Sequence, residues 1–250
     1  MKYNEQEIVE KYNNGQNTLS LAKELKTYNT TIRRILLRNN VKIRSYSEAQ
    51  RRVKYNPFSL EKSQYWLGLL ATDGCITNGK VILDLHERDK DILDKYIEHS
   101  QAPVNLNRQR SKTFGTSNQL RAEFTNKETV DFLIRWGITP RKSKTLKINF
   151  PMTWDFIRGV IDGDGCISLT NKGKGIRISI TTSSAEFFTQ LKDFFKANDI
   201  HVTKHVKENQ LYMIMIDSKE DVLKCYYNLY NSDGPFMKRK QQKFGSVIQK

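Results

Sequence analysis

The chain has little from which to build a disulfide framework or a metal cluster. Its 250 residues include three cysteines, Cys75, Cys166 and Cys225, an odd number without metal-ligand spacing. Cys75 and Cys166 occupy equivalent places in an internal repeat and are expected to be small buried fillers. Histidine is as sparse, at four residues. His201 and His205 are spaced like zinc ligands on a helix, but they fall in an alternating segment where that spacing has no helical meaning. No apolar run approaches the roughly 20 residues of a membrane span. The longest near the repeat is residues 65–71. A charged-then-apolar leader is also missing after Met1, so a cytoplasmic location is expected. Acids are scarce relative to bases: 27 Asp and Glu against 42 Lys and Arg leave a net charge of +15. With 38% hydrophobic residues, this balance describes a folded protein whose basic surface favours nucleic acid.

What the chain does have is a repeat. Residues 65–74 read Y-W-L-G-L-L-A-T-D-G, and residues 156–165, 91 positions on, read F-I-R-G-V-I-D-G-D-G. Each is an apolar run with small residues four apart, Gly68 and Thr72 in one and Gly159 and Gly163 in the other. Each ends in Asp-Gly. Small residues at that spacing share one helix face and let a second backbone approach. A helix-stopping Gly after each Asp would set Asp73 and Asp164 together at the foot of the packed pair. Two adjacent carboxylates repel, which makes most sense with cations between them.

Both runs open the same series of elements. After the first come a strand at 75–77, a turn at Asn78-Gly79, and Val81, Leu83 and Leu85 alternating with Ile82, Asp84 and His86. A helix over 90–100, strands over 104–110 and 119–125, and a helix over 127–136 follow. In the second copy Ile167 and Leu169 alternate with Ser168 and Thr170, and Ile176, Ile178 and Ile180 with Arg177, Ser179 and Thr181. A helix over 184–198, strands near 201–207 and 211–217, and a helix over 219–230 complete it. Each repeat is α-β-β-α-β-β-α, and the fold class is α+β.

The two runs resemble the signature helix of the LAGLIDADG homing endonucleases, in the monomeric form with two motifs. That resemblance implies two pseudo-twofold related repeats, 63–145 and 146–250, joined through the motif helices into a DNA-binding saddle. It implies a site-specific double-strand DNA endonuclease with Asp73 and Asp164 as the acids. These hold Mg²⁺, or Mn²⁺ in its place, with Gly74 and Gly165 beside them in the metal shell. Family members also carry a lysine in the basic cluster ending each repeat, here T-P-R-K-S-K-T (139–145) and P-F-M-K-R-K-Q-Q-K-F (235–244). By register these are Lys142 and Lys240, with Lys144 and Lys243 open if the register slips. On the exposed sheet faces, Asn105, Asn107 and Gln109, and Arg177, Ser179 and Thr181, are candidate readers of base edges. The resemblance further implies double-stranded DNA at a long asymmetric target as the partner, with no membrane involved, and a monomer that suffices because each repeat supplies one acid. The sequence departs from the pattern at Ala71, where the second motif has Asp162, leaving room for unequal metal affinity at the two ends.

Residues 1–45 form a separate, more basic unit, with a surplus of seven basic residues over residues 1–55. Ile8, Val9 and Tyr12 mark a first helix, Thr18 caps a second through Leu21, Ala22 and Leu25, and Ile32, Ile35 and Leu36 face inward from a third. This resembles the helix-turn-helix of resolvase- and transposase-like domains, which implies that Thr30, Thr31, Arg33 and Arg34 face the DNA major groove. Residues 46–62 read as a basic connector. Two alternatives stand beside the endonuclease: an RNA maturase that binds intron RNA, and a non-catalytic DNA-binding regulator. An intein-embedded enzyme is not expected, because the chain has neither the Cys or Ser start nor the His-Asn end of protein splicing. A freestanding enzyme, intron-encoded or carried by a phage or mobile element, is expected instead.

Overall fold

The computed structural model describes residues 3–14, 16–44, 56–100, 105–111, 117–170, 175–207 and 211–248. The chain divides into two compact units, Met1–Lys54 and Tyr55–Lys250. Residues 46–55 of the expected connector lie outside the described residues, as does residue 104 of the strand expected over 104–110.

Among its described residues the first unit has three short helices, α1 (Glu5–Asn13), α2 (Thr18–Glu24) and α3 (Asn29–Arg38). They enclose their own core of Ile8, Tyr12, Leu21, Ala22, Ile32, Ile35 and Leu36. The cap of α2 is Asn17 rather than Thr18: the Asn17 carboxamide oxygen accepts from the Ser20 N–H at 2.6 Å. Asparagine reaches an orphan N–H of the first turn as well as threonine does, so the helix starts one residue early. Arg44 closes the unit, its guanidinium 3.9 Å from the Tyr12 ring centroid and its N–H donating to the Tyr12 hydroxyl at 2.8 Å.

The second unit contains the repeats. The first runs α4 (Gln64–Thr72), β1 (Gly74–Thr77), β2 (Lys80–His86), α5 (Lys90–Ser100), β3 (Asn105–Ser111), β4 (Ser117–Thr125) and α6 (Lys127–Arg135). The second runs α7 (Trp154–Gly163), β5 (Gly165–Thr170), β6 (Gly175–Thr182), α8 (Ala185–Ala197), β7 (Thr203–Lys207), β8 (Leu211–Ile216) and α9 (Lys219–Leu229). Both sheets are antiparallel, with matching strand orders β1-β2-β4-β3 and β5-β6-β8-β7. Asn78 and Gly79 both have positive φ, which lets a two-residue turn place Thr77 opposite Lys80. A further helix, α10 (Lys238–Ile248), was not expected from sequence. Its first turn is Lys-Arg-Lys, a charged run that hides the start of the helix in the sequence, and Phe244 is buried.

One face of each sheet builds the core, through Val81, Leu83, Leu85, Leu120, Ala122 and Phe124, and through Ile176, Ile178, Ile180, Ile214 and Ile216. The motif helices lie inside that core. Every residue from Gln64 to Ala71 is buried, which is why α4 reads as apolar all round. Cys75 and Cys166 correct their sequence expectation, for both are exposed. In β1 and β5 the alternation turns Gly74 and Ile76, and Gly165 and Ile167, inward, so each cysteine points to the open face. Ile82 departs from simple alternation too. It sits opposite Cys75 on that open face yet is only 6% exposed. His201 and His205 are both exposed. Among the described residues no helix is long and apolar enough to cross a membrane.

Candidate active site

The site lies where α4 and α7 end. Their approach is set by reciprocal glycines. A β-carbon on Gly68 would meet the Phe156 carbonyl oxygen at 2.1 Å. Further down, a β-carbon on Gly163 would strike the Thr72 hydroxyl at 2.0 Å and come within 3.3 Å of Asp73 Oδ2. Thr72 fits this contact because its hydroxyl is satisfied locally, donating to the carbonyls of Gly68 and Leu69. The fourfold spacing of small residues therefore carries the packing down to the two acids, as the sequence implies.

Asp73 and Asp164 are the C-caps of α4 and α7. Burial pushes the Asp73 carboxyl up to about 6, and the neighbouring charge of Asp164 adds to it, while Lys240, Lys142 and Arg239 pull the other way. Asp164 is more open and is also raised, by partial burial of its carboxyl against the opposing pull of Lys142 and Lys240. The two carboxylates are thus close enough for one to feel the other's charge.

The lysines flank them. Lys142, in a 3₁₀ turn (Lys142–Lys144), is 8% exposed and donates to the Gly74 carbonyl. Lys240, on α10, is 6% exposed and donates to the carbonyls of Gly165 at 2.7 Å, Ile161 at 2.5 Å and Asp162 at 2.6 Å. The two therefore play equivalent parts, each reaching the carbonyl that follows its own repeat's acid. Burial lowers both ammonium groups, Lys240 to about 8. Lys144 is exposed, and Lys243 donates to the Ile167 carbonyl at 3.4 Å. A cleft of about 150 Å³ opens at one end of the site, lined by Thr72, Lys142, Asp164 and Thr181 among others.

The carbonyls of Gly74 and Gly165 each hold an ammonium, which repels a cation, so the donor set that fits a metal is the pair of carboxylates. Among the described residues no group of three or more His, Cys, Asp and Glu comes together. Two hard oxygen donors, with the other positions left to water and phosphate oxygens, suit Mg²⁺.

The strands after the acids spread two open faces. In the second sheet Ser179 and Thr181 are half-buried there, and Arg177 pairs with Asp217 at 3.1 Å. By register Asn105, Asn107 and Gln109 of β3 lie opposite Glu123, Arg121 and Gln119 of β4. Sequence reasoning missed several members of these faces. Arg121 grips Asp84 through two bonds of 2.8 and 2.7 Å, and Lys80 pairs with Glu123 at 3.2 Å. Met213 and Met215 stand opposite Thr181 and Ser179. Both parities of β8 are apolar, so its open face becomes identifiable only through the register with β6. On α3 Thr30, Arg33 and Arg34 are exposed and Thr31 is half-buried.

The stretch that follows Lys142, where the first repeat passes into the second, is bonded to α8, and the segment of Lys240 is anchored on the opposite repeat. Just beyond Lys142, the Leu146 carbonyl accepts from the Ser184 hydroxyl at 2.7 Å, and the Gln190 carboxamide bonds both the N–H and the carbonyl of Ile148, at 2.9 and 2.6 Å. Beside Lys240, Arg239 makes a forked pair with Asp89 of the first repeat, at 2.8 and 3.0 Å. Arg239 lay inside the basic cluster marked from sequence, but nothing in the sequence named its partner.

A paired-helix core, two matching sheets and an acid at the foot of each helix define a LAGLIDADG fold. Residues 154–240, from the start of α7 to Lys240, match the LAGLIDADG-like domain, so the chain carries a domain of that family. Similar solved structures include the homing endonuclease I-WcaI bound to its DNA recognition sequence, with 14% identity and a TM-score of 0.59 over 81% of this chain and 96% of that one. The LAGLIDADG homing endonuclease I-GzeII in complex with its DNA target gives 12% identity and 0.52, over 78% and 89%. The meganuclease I-AabMI bound to uncleaved DNA gives 14% and 0.50, over 74% and 90%. No curated protein matches the chain in sequence.

Proposed function

We propose that the chain is a site-specific double-strand DNA endonuclease that hydrolyses phosphodiester bonds with a divalent metal at a long asymmetric target. One observation carries this reading. Asp73 and Asp164, one from each repeat, meet at the helix ends with a lysine beside each following glycine.

In this reading Asp73 and Asp164 hold the metal against the two scissile phosphates. The chemistry supplied by Mg²⁺, or by Mn²⁺ in its place, is polarisation of a phosphoryl oxygen, a lower pKa for an attacking water and stabilisation of the leaving 3′ oxygen. Lys142 and Lys240 set positive charge where negative charge develops on each phosphate. The open sheet faces lie along the duplex, with Asn105, Asn107, Gln109, Arg177, Ser179 and Thr181 as readers, joined in this reading by Arg121, Met213 and Met215 on the same faces. These faces differ in charge between repeats, which suits a target without twofold symmetry. The first unit acts as a helix-turn-helix, with Thr30, Thr31, Arg33 and Arg34 toward the major groove. A net charge of +15 supports a polyanionic partner.

The test is cleavage of a randomised-site plasmid library with Mg²⁺, wild type beside the Asp73→Asn, Asp164→Asn double variant. Focused cuts from wild type alone are expected. Tight, salt-sensitive DNA binding without cutting would point to a regulator, and tight binding of intron RNA with weak DNA binding to a maturase.

A further inference from the structure

The second motif carries two polar residues that the first lacks. Arg158 and Asp162 lie one turn apart on α7, where α4 has Leu67 and Ala71. Both are 1% exposed. The Asp162 carboxylate is occupied on one oxygen only: Oδ2 accepts from the Tyr65 hydroxyl at 2.9 Å and from the Met237 N–H at 2.8 Å, while Oδ1 has no partner. Met237 precedes α10, and its carbonyl accepts from the N–H groups of Lys240 and Gln241. Asp162 therefore sits at the N-terminal end of α10 and holds the residue from which that helix starts.

Arg158 secures the approach to the same point. Its guanidinium donates to the carbonyls of Leu229 at 2.5 Å and Pro235 at 2.9 Å and to the Ser232 hydroxyl at 3.0 Å, with Asp155 paired at 2.7 Å. Gly234 leaves room for it, since a β-carbon there would fall 2.2 Å from Nη2. The two side chains together fix residues 229–237 against the motif helix. Lys240 lies one turn into α10, with its ammonium on the carbonyls that end α7.

We infer that Asp162 is a positioning residue for Lys240, acting through the start of α10, and that the additional motif carboxylate is not a metal donor. Ala71 fits the same logic. In the first repeat Lys142 rides on a 3₁₀ turn instead of a helix, which has no helix N-terminus to hold. The two lysines are thus presented by different devices, one anchored through a motif carboxylate and one not. Losing that carboxylate would displace one lysine and leave the other in place.

The single-oxygen geometry makes the inference sharp. Because both bonds land on Oδ2, the carboxamide oxygen of Asp162→Asn can accept both, whereas Asp162→Ala removes them. Two readouts are needed: the rate of cutting each strand of a supercoiled target, and labelling of Lys240 by an amine-reactive acetylating reagent, read by mass spectrometry on the metal-free full-length chain. The expected result is that Asp162→Asn keeps Lys240 protected, cuts both strands and needs the same Mg²⁺ concentration as wild type. Asp162→Ala, checked as folded by its melting transition, should expose Lys240 to reagent while Lys142 stays protected. It should also cut one strand at least tenfold more slowly than the other, so that nicked circles accumulate.

Loss of cutting in Asp162→Asn with a raised Mg²⁺ requirement would make Asp162 a metal donor and overturn the inference. Equal slowing of both strands in Asp162→Ala, with Lys240 still protected, would also overturn it. The strand-cutting arm rests on the nuclease reading, while the labelling arm does not. If wild type cuts nothing, that reading fails and the protection of Lys240 still decides the proposal. If Asp162→Ala does not fold, Tyr65→Phe with Met237→Pro replaces it, since these remove the two donors and leave the carboxylate in place. That pair must then expose Lys240 for the inference to stand.

Discussion

Gly159 and Tyr65 are in backbone contact across the helix pair: a β-carbon on Gly159 would lie 2.1 Å from the Tyr65 carbonyl oxygen and 2.8 Å from the Leu69 nitrogen. Gly68 makes the mirror contact with Phe156 and Val160. The obstructing atoms are backbone, so no rotamer change can relieve the clash. Gly68→Ala and Gly159→Ala should each cost about 3 kcal/mol or more by forcing the helices apart. Chemical denaturation of the single variants checks this. Gly79→Ala is the control, since a β-carbon there meets nothing within 4 Å and only its positive φ is strained.

Asp73 gives a pH prediction with a definite sign. Its folded-state pKa, about 6, lies above the ordinary carboxylate value, so the folded protein binds more protons than the unfolded chain between about pH 4 and 6. Its contribution to the stability of the metal-free protein is fully present below that window and lost as pH rises through it. Asp73→Asn should therefore stabilise the metal-free protein at pH 7, by on the order of 1–3 kcal/mol, and have little effect at pH 4. Adding Mg²⁺ should raise the melting temperature of wild type and not of the double Asn variant, and that gain should shrink as pH falls below 6. Melting curves across pH, with and without Mg²⁺, read both effects.

Restoring a motif acid in the first repeat should harm the protein. Ala71 is 3% exposed and packs in the core. Ala71→Asp would bury a carboxylate where the second motif supplies a tyrosine hydroxyl and a backbone N–H to its own acid. The expected loss is about 3 kcal/mol in stability, with no gain in cutting. Denaturation and cleavage assays on the same preparation would show it, and a more active variant would contradict it.

The two units have separate cores, so removing residues 1–44 should leave the melting of the remaining unit nearly unchanged. Binding to target DNA should weaken, and the dependence of log K on log salt should flatten by about 0.9 for each phosphate that the first unit no longer neutralises. Unchanged affinity would remove the helix-turn-helix reading of α1 to α3.

The repeats, their strand alternation and the acid pair were readable in the sequence because each rests on local periodicity. Val81, Leu83 and Leu85 alternate cleanly, and Gly68 with Thr72 marks one helix face. What escaped was decided by contacts between distant segments. Cys75 shares the strand parity of Thr77 against the inward Ile76, but a small apolar residue suits either face of a strand, and that masked the signal. The helix that carries Lys240 has a basic first turn and is held from outside by Asp162 and Asp89. The side-chain pairs on the open faces depend on which strand of each sheet lies beside which.

The anchoring of the lysine segments sets where such a protein can be recombined. The stretch after Lys142 is bonded to Ser184 and Gln190, and the helix of Lys240 is pinned to Asp89. A second repeat exchanged at its apparent boundary would arrive with a C-terminal helix fitted to an Asp89 left behind. Chimeras should join only where each strap is inherited together with the surface that receives it. In lineages carrying this arrangement, the two halves are expected to change in step rather than be traded singly.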